Sequence, residues 1–296
     1  MPRRWRRRLT REAALWCETD AMDIARACDW YTVRADGGVL AHVSRGGRVL
    51  LVAHLDHLGS GVVHKLTPER IVCSALDDRL GAMLAWHWTD MTGRPADVLF
   101  TDCEESGDST ITGLGIGMLD RYDVVIELDR RERGAVCYEF VELEKHLAPY
   151  LTIHRGTFSD ISALADTSPV SCFNLGVGYR YEHSERCEAF TVDIVAQVEA
   201  CEAFLRANVG RRFSRRAPFA GDETATVLLE RAARWRENRK VVKGPERWSK
   251  EWWQGEGLGW EDDLDQAAID DKRALELELI HGFGDDETDG GGEYGG

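Results

Sequence analysis

The sequence predicts a three-layer α/β/α domain built on a mixed, mostly parallel sheet, followed by a charged tail. Three observations lead there. Strand-like and helix-like segments alternate from about residue 49 to residue 208. The run Val49-Leu50-Leu51-Val52-Ala53-His54 is apolar almost throughout, as a central strand covered on both faces must be. And 296 residues with 43% hydrophobic content can bury a sizeable core. Alternation of this kind indicates βα units layered on a parallel sheet.

Taken in order, residues 1–9 read as a flexible basic arm, because Arg3, Arg4, Arg6, Arg7 and Arg8 crowd together. A helix is predicted from Thr10, a candidate N-cap, to Cys28. Gly38–Val43 and Arg48–His54 read as the two strands of a hairpin turning at Ser44-Arg45-Gly46-Gly47. Then follow a strand at Glu69–Ser74, a helix at Asp78–Trp88, a strand at Asp97–Thr101 and helical structure over Thr110–Leu119. Strands at Tyr122–Leu128 and Pro169–Gly176 come next, then an amphipathic helix at Thr191–Asn208. The folded domain is expected to span 10–212. The tail, 213–296, contains a charged helical stretch (Asp222–Lys240), a segment with Trp248, Trp252, Trp253 and Trp260, a helix at Leu264–Ile280, and a Gly-rich acidic end that reads as disordered.

Charge separates the tail from the rest. The chain carries a formal −15, but residues 251–296 hold 15 Asp/Glu against 2 Lys/Arg, a net of −13, and leave only −2 for the other 250. The acidity therefore says little about the substrate of the folded part, and it argues against a nucleic-acid binder. No run approaches the roughly 18 apolar residues of a membrane span. The basic start leads into Leu9-Thr10-Arg11-Glu12 rather than an apolar core, so a cytoplasmic protein is expected. The eight cysteines form no CxxC pair, which speaks against a thiolate zinc site and for reduced, buried thiols.

Five short segments put histidines and carboxylates where strands are predicted to end. They are His54-Leu55-Asp56, Asp77-Asp78, Glu104-Glu105, Asp129 and His183. In parallel sheets, ligand sites collect at the carboxyl ends of the strands. Imidazole and carboxylate donors without sulfur suit a catalytic divalent metal, zinc first, with cobalt or manganese as alternatives. Two histidines and three carboxylates suffice for two ions if one carboxylate bridges, and a further, unligated carboxylate is then needed to move protons. Around Asp129 the pattern leaves Glu127 and Glu132 open as ligands, because Glu127 and Asp129 share a strand face.

In this order, His54-x-Asp56, Asp77-Asp78-Arg79-Leu80-Gly81, Glu104-Glu105, Asp129 and His183 resemble the motifs of the co-catalytic dizinc aminopeptidases, metallopeptidase clan MH. Ala75–Gly81 is similar to the bridging-aspartate motif of the glutamyl and tetrahedral aminopeptidases, and Tyr179–Ser184 to their final histidine motif. The resemblance, covering about residues 48–208, implies a zinc-exopeptidase-like fold with two divalent ions. It implies that Asp77 bridges them, that His54 and Asp129 complete one ion's shell, and that Glu105 and His183 complete the other's. Glu104 is then the general base and acid, and Asp56 the group that steers His54. In relatives the Asp77–Asp78 peptide is cis. Gly156-Thr157-Phe158-Ser159-Asp160 resembles the family's segment before a helix that lines the substrate pocket, so Asp160 is expected either to contact a substrate amine or support His183, or to cap that helix, and Arg180 and Tyr181, next to His183, are expected to contact substrate. Only 20 residues separate Asp56 from Asp77, where the tetrahedral enzymes carry a further domain, so the chain is closer to the single-domain bacterial zinc aminopeptidases.

The activity expected is hydrolysis of a peptide or small amide by an aminopeptidase. The alternatives are an N-acyl deacylase or carboxypeptidase of the same clan, or a scaffold acting through a protein partner held by residues 248–296. The sequence leaves the oligomeric state open.

Overall fold

The computed structural model describes residues 1–137, 141–156, 159–164, 168–213 and 240–243. Its largest sheet has nine strands in the order β13-β1-β2-β6-β3-β7-β10-β8-β9. The centre of that sheet is β6 (Asp97–Thr101), β3 (Val49–His54), β7 (Val124–Arg130) and β10 (Cys172–Gly176), all mutually parallel. β3, β6 and β10 are buried at each position, so both faces of the sheet are covered there. Antiparallel strands flank this centre. β1 (Trp30–Val33) and β2 (Val39–Val43) lie on one side, and the short β8 (Ala135–Val136) and β9 (Ile153–His154) on the other. A second sheet of four strands contains β4 (Val63–Leu66), β5 (Arg70–Cys73), β11 (Tyr179–Arg180) and β12 (Glu188–Phe190).

The helix α3 (Leu76–Thr92) is apolar nearly all round, with Leu80, Met83, Leu84, Trp88 and Met91 buried, as a helix covered on most sides requires. It stops at Gly93, whose φ of 78° is left-handed and whose N–H bonds to the Thr89 carbonyl at 2.8 Å. At Gly81 the helix runs against β7: a Cβ there would lie 1.7 Å from the Leu128 carbonyl oxygen. Only glycine allows that approach, which brings the start of α3 to the end of β7.

Three expectations are corrected. The basic arm over residues 1–9 is helical from Arg3, as part of α1 (Arg3–Glu18), and the helix expected to run to Cys28 breaks into α1 and α2 (Ala21–Arg26). Asp20 ends the continuity by capping α2, its side chain accepting from the Met22 N–H at 2.8 Å. The arm is held because Trp5 is buried against His87, with ring centroids 4.8 Å apart, while Arg6 pairs with Glu199 at 2.6 Å. Trp5→Ala is therefore expected to cost about 3–4 kcal/mol of stability, read by urea denaturation, whereas removal of a Trp from a solvated arm would leave the midpoint unchanged.

The second correction concerns the hairpin. β2 and β3 do not pair with each other: β6 lies between them, antiparallel to β2 and parallel to β3. The hairpin partner of β2 is β1, joined through a turn at Asp36-Gly37. An apolar run buried on both faces gains more from two neighbours in the sheet's interior than from an edge hairpin. Third, the compact unit that begins at Met1 extends to Pro245 instead of ending near Arg212. β13 (Lys240–Lys243) pairs antiparallel with β1 and forms the edge of the large sheet. The rest of the Asp222–Lys240 stretch, the Trp-containing segment, the Leu264–Ile280 helix and the acidic end lie outside the described residues. No described helix is long and apolar enough to cross a membrane.

Candidate metal centre

The carboxyl ends of β3, β6 and β7 converge, and the candidate ligands meet there. His54 is the last residue of β3 and is 1% exposed. Asp129 lies near the end of β7, two strands' width from Glu104 and Glu105, which follow β6. Asp77 stands at the start of α3, delivered by the small sheet through β5. The peptide between Asp77 and Asp78 is cis. His183 comes in on the loop between β11 and β12, with a left-handed φ of 57°.

Asp77 sits between the two histidines. Its Oδ1 is 3.6 Å from His54 Nε2, and its Oδ2 is 3.1 Å from His183 Nε2. His54 Nε2 also faces Asp129 Oδ1 at 3.4 Å, and His183 Nε2 faces Glu105 Oε2 at 3.1 Å. Ligand-type atoms of His54, Asp77 and Glu105 fall within 4.8 Å of one another, and so do those of His54, Asp78 and Asp129. The five expected ligands are therefore brought together.

Asp56 is the brace. Its Oδ1 accepts from the Glu104 N–H at 3.2 Å and its Oδ2 from the Glu105 N–H at 3.0 Å. The same residue meets His54 Nδ1 through its carbonyl oxygen at 2.9 Å and its Oδ1 at 3.3 Å. One side chain thus ties the orientation of His54 to the position of both glutamates, leaving His54 Nε2 turned to the carboxylates. Cys103, just before Glu104, has a left-handed φ of 63°, so the backbone turns sharply where the glutamates begin.

The electrostatics are those of a site built for cations. Burial pushes the Asp129 carboxyl up to about 7, and burial with the Asp129 charge beside it pushes Glu104 up to about 8. Burial likewise raises Glu105, aided by the neighbouring Asp77. His183 is held up at about 9, first by its hydrogen bond to Asp77. Burial acts to lower His54, but the Asp129 charge and the surrounding carboxylates outweigh it and hold the imidazole well above its ordinary value. Asp77 shows the converse: burial acts to raise it, and the two histidines overcome that and hold it far below the usual carboxylate range. Glu105 Oε1 is buried with no hydrogen-bond partner among the described residues. Nitrogen and oxygen donors, an orphaned carboxylate oxygen and two imidazoles borrowing protons to balance their neighbours all fit divalent cations.

The cluster forms one wall of an open cleft of about 630 Å³. Asp77, Glu104, Glu105, Asp129 and His183 line it. Asp160, Arg180 and Tyr181, expected at the substrate, do not. Asp160 is fully buried behind β6, its carboxylate accepting from the Thr101 hydroxyl and its N–H donating to Glu127 Oε1 at 2.9 Å. Arg180 pairs with Asp193 at 3.1 Å and lies over the Phe190 ring. Tyr181 is 56% exposed, with the Arg186 guanidinium over its ring. In each case a nearer partner engages the side chain, although Asp160 Oδ1 is buried with no hydrogen-bond partner among the described residues. Of the residues left open beside Asp129, Glu127 is turned to the Asp160 backbone inside the protein, and Glu132 donates its N–H to the Tyr179 carbonyl at 2.8 Å.

Sequence reading missed Tyr179. Its hydroxyl donates to Asp77 Oδ1 at 2.9 Å and lies 3.2 Å from Asp129 Oδ1, joining the two carboxylates. It also missed Asn174, whose side chain accepts from the Asp129 N–H at 3.2 Å and donates to the Asp129 carbonyl at 2.8 Å, fixing the end of β7. A buried polar residue inside the apolar run Cys172–Gly176 was the available signal for Asn174.

No protein-family model and no curated protein matches this sequence. Solved structures do match the fold. An aminopeptidase from the archaeon Desulfurococcus kamchatkensis is similar at a TM-score of 0.52 and 14% identity, covering 69% of this chain and 96% of that one. A tripeptidase from Staphylococcus aureus is similar at a TM-score of 0.50 and 10% identity, covering 68% of this chain and 98% of that one. The fold class is thus that of these peptidases, and the layered architecture expected from sequence is the one observed.

Proposed function

We propose that this protein is a metal-dependent amide hydrolase, an aminopeptidase with two divalent ions, zinc before cobalt or manganese. The observation that carries the reading is the placement of Asp77: the two oxygens of one carboxylate face two different histidines, as a bridging ligand's must. In this reading Asp77 would be shared by both ions, His54 and Asp129 would help to hold one, and Glu105 and His183 the other. Bound there, the ions supply Lewis acidity, polarising the scissile carbonyl and making water easier to deprotonate.

The chain's own groups do the rest. Glu104 lines the cleft and is not needed as a ligand in this assignment. Its carboxylate takes the proton from the attacking water, and the resulting acid gives that proton to the departing amine. Burial and the Asp129 charge push Glu104 up to about 8, a direction that suits a carboxyl that must both accept and release a proton near neutral pH. Asp56 keeps the Glu104-Glu105 turn and the His54 ring in register while this happens.

The test is a panel of aminoacyl amides with free and acetylated amines, run with metal analysis of the full-length protein. The expected result is two ions per chain and turnover of the free-amine substrates only. Equal turnover of acetylated substrates would point to a deacylase, and one ion per chain would remove Asp77 as a bridge.

A further inference from the structure

The cleft also carries positive charge that the proposed chemistry does not use. Arg130 and Arg155 line it, opposite in charge to Glu104, Glu105 and Asp129. Arg130 is the last residue of β7, directly after Asp129, and is half-buried. A carbonyl rather than a carboxylate holds its guanidinium, Nη2 donating to the Arg155 oxygen at 3.1 Å. Gly156 makes room for it: a Cβ there would lie 3.2 Å from Arg130 Nη1 and 3.0 Å from Val136 Cγ1. Among the described residues, no carboxylate forms an ion pair with Arg130 or Arg155. Arg131 beside them is different, since it is already neutralised by Glu182.

A guanidinium positioned by main chain, with no carboxylate paired to it among the described residues that line the cleft, is arranged for an anion that arrives from outside. Its planar fork fits a carboxylate with two parallel hydrogen bonds. Arg130 follows Asp129 at the end of β7 and lines the same cleft, so an anion held there shares the cleft with the bond proposed to break.

We propose that Arg130 and Arg155 form a carboxylate subsite, so that the preferred substrates are short peptides bearing a free carboxylate next to the scissile amide. This rests on the amide-hydrolase reading and names its substrate class. Two sources supply the same group: an acidic side chain, or the carboxyl terminus of a dipeptide or tripeptide.

Three peptides separate the sources: Glu-Ala-NH2 carries only the side-chain carboxylate, Ala-Ala only the terminal one, and Ala-Ala-NH2 neither. Binding is measured by calorimetry on metal-loaded, full-length Glu104→Gln protein, and hydrolysis on the wild type. The expected result is that one carboxylate peptide binds about 10- to 100-fold tighter than Ala-Ala-NH2, and which one identifies the source. Arg130→Ala and the exposed Arg155→Ala each erase most of that ratio, Arg130→Lys restores part of it, and Arg155→Glu inverts it. Circular dichroism checks that Arg130→Ala folds, and the Arg155 variants carry the test if it does not. Equal binding of all three peptides, or a ratio untouched by the Arg155 variants, overturns the subsite; hydrolysis of any peptide then still upholds the hydrolase reading. Carboxylate-selective binding without hydrolysis of any of them upholds the subsite and removes the hydrolase reading.

Discussion

Glu104→Gln is expected to lower kcat by about 10²–10⁴-fold while leaving metal content and melting temperature close to wild type. The amide is nearly isosteric, so the turn that Asp56 holds through the Glu104 and Glu105 N–H groups survives, and so do the five side chains proposed as ligands. What disappears is the ability to accept a proton at that position. The readout is steady-state kinetics on an aminoacyl amide together with metal analysis of the same sample. A variant that keeps wild-type turnover would remove Glu104 from the chemistry. One that loses metal as well as activity would make Glu104 a ligand instead of a base. Glu105→Gln gives the contrast, since its Oε2 lies against His183 Nε2 and its loss should lower metal content together with activity.

The second large effect is on stability in the absence of metal. Stripped with a chelator, the protein should lose about 5–10 °C in melting temperature between pH 5.5 and pH 9. The sign follows from linkage. Glu104 at about 8 and Asp129 at about 7 keep their protons in the folded chain at pH values where the unfolded chain has released them. Stability therefore falls as pH rises through that interval. His183, raised to about 9, acts in the same direction: its contribution is complete below the ordinary histidine value and is lost as pH passes through 9. Asp77, depressed, contributes stability that disappears only in acid, below this window. Divalent ions bind the deprotonated ligands, so the gain in melting temperature on adding zinc should grow with pH. Thermal shift measurements across the range, with chelator and with zinc, check both slopes. A chelated protein whose melting temperature stays flat from pH 5.5 to 9 would mean that these groups do not share one buried pocket.

Much of the site was legible before any coordinates, and the reason is local. His54, Asp129 and the Glu104-Glu105 pair each follow an apolar strand by a few residues, and the strand's burial dictates where its carboxyl end lies. The side chains that failed to reach the cleft failed for a reason no spacing reveals. Arg180 sits three residues from His183 in sequence, yet Asp193 on a distant helix, α6 (Thr191–Ala207), captures it. Asp160 starts a helix of its own and is drawn inward by Thr101 and Glu127. Tyr179 was passed over because nothing local marks a tyrosine whose hydroxyl meets two carboxylates, one of them 102 residues away.

The hairpin and the arm make the same distinction on the scale of the fold. Period and apolarity identified β2, β3 and β6 as strands, because each pattern is written within half a dozen residues. Which strand lies beside which was decided only when β6 entered between β2 and β3, a contact between segments some 50 residues apart. In α1 the run of arginines reads as solvated, and the burial of Trp5 against His87 turns that run into the outer face of a packed helix. Residue types and their order marked imidazole and carboxylate donors at strand ends as candidate ligands, and the resemblance to the dizinc aminopeptidases favoured Asp129 over Glu127 and Glu132. The resemblance implied a shared Asp77 and an Asp56 that steers His54, but the contacts of Asp56 with the Glu104 and Glu105 N–H groups, and an Arg130 that pairs with no carboxylate among the described residues, are decided by tertiary structure, because each is a relation between atoms that the chain brings together only by folding.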